Sequence, residues 1–308
     1  MWPDWTHAVA GVLVDEPLAR HSQYGIGGRA DRFVKLDDAT ALPEIVARCN
    51  ADSVPLTVLG AGSNALILDG GIRGLVVKLG GRHVTVDDGV VTLDAGTMMP
   101  RAALDLARRG LTGMEWGIGV PGTCGASVFG NAGAFGADVA GTLVACEVCN
   151  RDGTTRWVDT ADCGFAYRDS RFKHEAAGAV ILRGRFAVHA DDPVVVKART
   201  DAVQAERKAT QPYGVRSLGS TFKNPPDDFA GRLIEAAGLA GHRLGGAQIS
   251  PKHTNFILNI DHATAADVLG LVDRARDEVA SRFDVVLERE IVLLGEPAAA
   301  AVTAQSAP

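Results

Sequence analysis

Between residues 116 and 137 the chain runs for 22 residues without a charge, and seven of them are glycine, with Pro121 and Asn131 among the rest. The length is that of a membrane helix, but glycine and proline at this density leave a lipid-facing backbone unsatisfied, so the stretch reads as an irregular loop system. Across the chain there are 36 glycines in 308 residues, about 12% against a usual ~7%. Such an excess calls for many backbone positions at positive φ or in close contact with something else. Charge narrows the partner. Lysine and arginine number 31 against 37 acidic residues, a net −6 with no basic run, which speaks against nucleic acid.

A second glycine turn lies upstream. An apolar strand expected over 54–59 runs into Gly60-Ala61-Gly62-Ser63-Asn64-Ala65, which matches G-x-G-x-x-A. A dinucleotide fold would need a helix opening there, with an acidic residue beyond the next strand. Instead Asp69-Gly70-Gly71 breaks the chain, and Lys78 stands where the acid would be. What survives is a tight turn whose amides can converge on an anion without a helix. With Gly119-Val120-Pro121-Gly122-Thr123-Cys124-Gly125 and Asn131-Ala132-Gly133-Ala134-Phe135-Gly136, it makes a pair of loops able to grip a pyrophosphate and let a flat ring lie against bare main chain.

Short strands with turns between them are expected from 54 to 158, with hairpins at Asp87-Asp88-Gly89 and Asp152-Gly153. One helix, capped by Thr97, interrupts them, and a strand over 180–188 closes the region. Helices over 194–208, 229–237 and 265–282, the last capped by Thr264, alternate with strands over 255–260 and 284–294. The division expected is an N-terminal extension (1–20), a first domain (21–192), a second (193–296) and a disordered tail (297–308). Five cysteines, sparse and odd in number, argue against a disulfide framework. Cys146-x-x-Cys149 lies in an alternating strand where residues three apart face opposite ways, so packed thiols are expected and no metal. No membrane span or signal peptide is read, and the cytoplasm is the expected compartment.

Seven segments, in order, carry a resemblance, the adjoining stretches from Gly119 and Asn131 counting as one. They are Tyr24-Gly25-Ile26-Gly27-Gly28-Arg29-Ala30; Leu59-Gly60-Ala61-Gly62-Ser63-Asn64; the two stretches from Gly119 and Asn131 quoted above; Tyr167-Arg168-Asp169-Ser170-Arg171-Phe172-Lys173; Gly219-Ser220-Thr221-Phe222-Lys223-Asn224-Pro225; Gly245-Gly246-Ala247-Gln248-Ile249-Ser250; and Leu287-Glu288-Arg289-Glu290. The chain resembles the UDP-N-acetylenolpyruvoylglucosamine reductases, in the branch that lacks an extra tyrosine-bearing loop over the substrate. The resemblance implies an α+β protein: a vanillyl-alcohol-oxidase-type domain binding FAD without a covalent bond, then a smaller α/β substrate domain. It also implies NADPH as reductant, sharing one cleft with a UDP-sugar, and a monomer is expected. Gly60, Ala61, Gly62, Ser63, Asn64, Gly119, Val120, Pro121, Gly122, Thr123, Gly125, Ala126, Asn131 and Gly133 would hold the flavin.

The chemistry asked of the remaining motifs is reduction of an enolpyruvyl ether. Its ionised carboxylate makes the alkene a poor electrophile, and a guanidinium neutralises that charge bidentately. Arg168 matches the family position. Ser220 matches the proton donor, with Lys223 a candidate to stabilise its alkoxide. Glu290 aligns with the family glutamate, which must be desolvated to be protonated at neutral pH; on an alternating strand Glu288 would share its face. Tyr167, Lys223 and Asn224 are candidates for diphosphate or sugar contacts. Gln23-Tyr24 is expected to affect packing at the adenine end, and His253 is either a ligand contact or a structural histidine. The rivals are another oxidase or dehydrogenase on the same flavin fold, with no need for the Arg168, Ser220 and Glu290 set, and a flavoprotein without turnover.

Overall fold

The computed structural model describes residues 2–174 and 179–298; the expected disordered tail lies, from residue 299 on, outside the described residues. Among the described residues three sheets have four or more strands. The first has the order Leu13–Pro17, Arg29–Leu36, Ile72–Leu79, Leu56–Leu59, antiparallel at its first pair and parallel beyond. The helix Leu42–Ala51 is the crossover between Arg29–Leu36 and Leu56–Leu59, which run parallel on either side of Ile72–Leu79. Its buried Leu42, Ile45, Val46 and Cys49 share a core with Val34, Leu75, Val77 and Leu79.

The second sheet is wholly antiparallel, with the order Thr155–Asp159, Leu143–Cys149, Val180–Ala187, Val90–Asp94, Val84–Asp87. Its inner strands contribute to two cores. Cys146 and Ile181 face the core built with the helices Met99–Arg108 and Cys124–Gly130, whereas Cys149 and Leu182 face the core of the first sheet. All five cysteines are free and buried. The two expected hairpins form, with Asp88 (φ 43), Gly89 (φ 72) and Gly153 (φ 83) in the left-handed region their turns require.

The third sheet, in the order Arg216–Ser220, Phe256–Asn259, Ala247–Ile249, Arg243–Leu244, packs against helices Ala230–Ala236 and Ala265–Phe283. In the longer helix Val268, Leu271, Val272, Ala275 and Val279 recur at helical spacing and are all buried, each large side chain contributing about 1.5–3 kcal/mol. Its start is held by a capping box between Thr264 and Asp267 and by Asp69, whose carboxylate accepts from Ala265 N (2.9 Å) and Ala266 N (3.0 Å). Among the described residues no helix is long and apolar enough to cross a membrane.

Several segments cross between these units. Tyr24 and Ile26 are buried in the core of the third sheet, and Tyr24 Oη donates to Ile257 O at 3.0 Å. Of the pair expected to affect packing at the adenine end, Tyr24 ties the first half to the second and Gln23 donates to Pro121 O. In return Val292–Leu294 pairs in parallel with Ala65–Ile67. The helix Pro193–Thr210 packs back onto Met99–Arg108 and the 3₁₀ turn Glu115–Gly119.

Three local expectations differ. Met98, not Thr97, precedes the helix Met99–Arg108, because Thr97 is still in a turn, its N–H on Asp94 O and its carbonyl taking Cys124 N. The strand expected over 284–294 is confined to Val292–Leu294; residues before it make only the bridge Phe222↔Arg289, since the chain passes there from one sheet to another. The uncharged stretch contains a short helix, Cys124–Gly130, ended by Asn131 in the left-handed conformation (φ 45). Gly125 lets that helix close on the sheet, because a Cβ there would lie 2.8 Å from the Ala95 Cβ.

Candidate active site

The two glycine turns meet. A Cβ on Gly60 would run into Thr123 Oγ1, and one on Gly122 would lie 3.4 Å from Ser63 Oγ. They form the wall of a cavity of about 1070 Å³ lined by Gly60, Gly62, Ser63, Asn64, Gly119, Val120, Pro121, Gly122, Thr123, Gly125, Ala126 and Gly133. The amides of Ala61, Gly62, Ser63 and Asn64 donate to no described residue, leaving a run of donors available to an anion. The cavity extends past Val46, Cys49, Val180 and Ile181 at one side and reaches Arg168, Ser220 and Glu290 at another.

Arg168 comes from a tight turn closed by reciprocal bonds between Ala166 and Asp169, both 3.1 Å, and itself has φ 55. Its Nη2 donates to Gly133 O at 2.9 Å. Its Nε lies 2.8 Å from Glu290 Oε1, an ion pair in which the N–H is not aligned for a hydrogen bond. Glu290 and Ser220 are brought to the same end of the cavity by a short ladder: Glu290 N donates to Thr221 O and Lys223 N to Glu288 O, both at 2.9 Å. Asn64 Nδ2 donates to Glu290 O at 3.2 Å, so the first glycine turn is tied to the glutamate. Ser220 Oγ has no hydrogen-bond partner among the described residues. The preceding Gly219, at φ 78, belongs to an irregularity in the ladder between Ser217 and Ser220.

Burial raises the Glu290 carboxyl above its ordinary pKa of 4.5, although Arg168, Lys173 and Lys223 all pull it down. The side chain is 17% exposed, against 70% for Glu288, so Glu290 is the desolvated member of the pair. A raised carboxyl pKa stabilises the fold below the unfolded value of 4.5, and that contribution is lost as pH rises through the folded value. Glu290→Gln abolishes this loss. The melting temperature of the variant relative to the parent is therefore expected to increase as pH rises above 4.5, measured on flavin-free protein; a constant difference across pH would show that Glu290 titrates like a solvated carboxyl.

Other expected residues lie elsewhere. Ala61 and Asn131 do not line the cavity; Asn131 is structural, its Nδ2 donating to Ala166 O at 2.8 Å and its Oδ1 accepting from Ala140 N. Tyr167, Lys223 and Asn224 also lie off the cavity wall. Tyr167 is 55% exposed beside the Arg168 guanidinium. Lys223 Nζ is turned to Glu288 Oε1 at 2.6 Å, and Asn224 Oδ1 accepts from Ala230 N at a helix start. His253 is structural in its visible contacts: it stacks edge-on with Phe256, and burial pushes its pKa down. Sequence reasoning missed Lys173, Arg207 and Gln211, which all line the cavity. Lys173 lies inside the Tyr167–Lys173 motif; Arg207, in the last turn of Pro193–Thr210, and Gln211, just past its end, carry no local signal.

A cavity of this size, at the upper end of ligand sites, with free amides in one turn, bare main chain at Gly60, Gly119 and Gly122 and apolar walls, fits FAD. The fold and site define an FAD-binding protein with a second, smaller domain, and residues 30–159 match the family model described as an FAD binding domain. Residues 211–294 match the C-terminal domain of UDP-N-acetylenolpyruvoylglucosamine reductase. A protein of that name from Symbiobacterium thermophilum is 41% identical over 91% of each chain. The one from Bacillus subtilis is 37% identical over 93% of this chain and 95% of its own. The crystal structure of the Thermus caldophilus reductase superposes with a TM-score of 0.77 at 35% identity, covering 92% of this chain and 98% of the other. The chain belongs to the UDP-N-acetylenolpyruvoylglucosamine reductase family.

Proposed function

We propose that the protein reduces UDP-N-acetylglucosamine enolpyruvate to UDP-N-acetylmuramate in peptidoglycan precursor synthesis, and that Arg168, Ser220 and Glu290 carry the substrate chemistry. One observation supports the assignment of roles above all: these three side chains, from three separate segments, line the same cavity as both glycine turns. Bound FAD would supply the hydride chemistry that links NADPH to one alkene carbon of the substrate. Gly60, Gly62, Ser63, Asn64 and the 119–126 turn would hold it through main-chain donors and close contact.

Arg168 binds the substrate carboxylate through its guanidinium, drawing charge out of the developing enolate. Glu290, biased by burial toward its protonated form, donates a hydrogen bond to the same carboxylate. Ser220 Oγ, with no partner of its own among the described residues, hands its proton to the second alkene carbon. Lys223 Nζ is engaged with Glu288 rather than with Ser220. In this reading the enzyme acts as a monomer in the cytoplasm, where both nucleotide substrates occur, with no nucleic-acid or membrane partner.

Purified protein is expected to be yellow and to oxidise NADPH steadily only after the enolpyruvyl sugar nucleotide is added. NADPH oxidation indifferent to that substrate would point instead to another reaction on the same flavin fold.

A further inference from the structure

Lys173 is absent from the chemistry above, yet it lines the cavity and is half-buried on the 3₁₀ turn Arg171–Lys173. A buried ammonium needs a partner to offset lost hydration, and the partner here is a main-chain oxygen: Lys173 Nζ donates to Arg168 O at 2.5 Å. Arg168 is a non-glycine residue at φ 55, a sparsely populated conformation that neighbours must enforce. The Ala166–Asp169 bonds close the turn from outside. Asp169, which accepts from His174 Nε2 (2.8 Å) and Ser170 N (2.9 Å), ties it to the following segment. Lys173 closes it from the cavity side.

We propose that Lys173 is a positioning residue for Arg168, its ammonium fixing the left-handed turn so that the guanidinium stays between Gly133 O and Glu290. The inference rests on the catalytic reading of Arg168 given above. Desolvation lowers the Lys173 pKa while Asp169 and Glu290 draw it back up and Lys223 and Arg168 add to the lowering, as suits an amine spent on a fixed internal contact. A solvated surface lysine would show neither the burial nor the bond. A lysine reserved for substrate would keep its ammonium free.

A double-mutant cycle on the holoenzyme tests this, reading flavin reduction by NADPH and flavin reoxidation by the enolpyruvyl substrate separately. Lys173→Met is expected to slow reoxidation about 10²-fold, the scale of a misplaced catalytic group, while reduction proceeds as in the parent. Lys173→Arg, which keeps a charged donor, is expected to recover most of the loss. In an Arg168→Ala background Lys173→Met is expected to add nothing further, and calorimetric affinity for UDP-N-acetylmuramate is expected to show the same non-additivity. Losses that multiply across the cycle would mean that Lys173 acts on its own and would overturn the proposal, leaving the Arg168 assignment standing. A fall in flavin content, melting temperature and both half-reactions together would also overturn it, by showing a merely structural lysine. Should Lys173→Met not fold, Lys173→Gln takes its place in the same cycle, where non-additivity supports the proposal and multiplying losses overturn it. If Arg168→Ala alone leaves reoxidation unaffected, the catalytic reading itself fails, an outcome distinct from either of these.

Discussion

Ser220→Ala is expected to leave flavin reduction by NADPH intact and to slow reoxidation by the enolpyruvyl substrate by about 10²–10⁴-fold, the usual worth of a positioned proton donor. The structure makes the experiment clean. Ser220 Oγ holds no other group in place, so its removal breaks no internal hydrogen bond. The cavity wall keeps its Cβ, and the ladder that positions the residue runs through main-chain bonds at Thr221 and Lys223. Arg168 and Glu290 keep their positions, so substrate affinity should change little and the defect should fall on kcat. Stopped-flow measurement of the two half-reactions decides the matter: equal slowing of both would place the serine with flavin or NADPH and remove it from the protonation step.

Gly122→Val is expected to yield a folded, colourless protein. The position is chosen because the chain itself has room for the added carbon: the Cβ would sit 3.4 Å from Ser63 Oγ and 3.7 Å from Ser127 Oγ, ordinary packing distances or close to them. Gly122 is not among the positive-φ glycines, so valine meets no left-handed strain there. The same substitution at Gly119 would drive a Cβ to 2.7 Å from the Phe135 ring, and loss of flavin would then say nothing about the ligand. At Gly122 the valine methyls compete mainly with whatever occupies the cavity, and overpacking of about 1–3 kcal/mol, or more against a rigid ring, lowers flavin affinity by about 10-fold to 10²-fold or beyond. Absorption of the purified variant and its titration with FAD are the measurements. Full flavin occupancy with normal affinity would show that the 119–126 turn is not the cradle.

The ingredients of the site were readable where chemistry is local. Glycine turns announce themselves because positive φ and close approach are properties of single residues and their neighbours. The long C-terminal helix, with Thr264 and Asp267 at its start, follows from spacing and capping alone. Arg168, Ser220 and Glu290 were legible only as members of quoted motifs; nothing in their own spacing puts them together. Thr97 failed as a helix cap because a long-range bond, Cys124 N to its carbonyl, holds it in a turn. Lys223 carries the right charge in the right motif, yet an exposed glutamate two residues from Glu290 takes its ammonium.

Sequence by itself determined the kind of protein: two glycine turns in a strand-rich first half, a helical second half, free buried thiols, and the side chains able to carry charge and protons. Tertiary structure alone decided which glutamate is desolvated, that Tyr24 belongs to the far core, and that Lys173 reaches the carbonyl of Arg168. The division has a physical cause. Turn and helix preferences are fixed by interactions within a few residues, whereas burial, ion pairing and the shape of a cavity depend on segments that meet only when three sheets have packed.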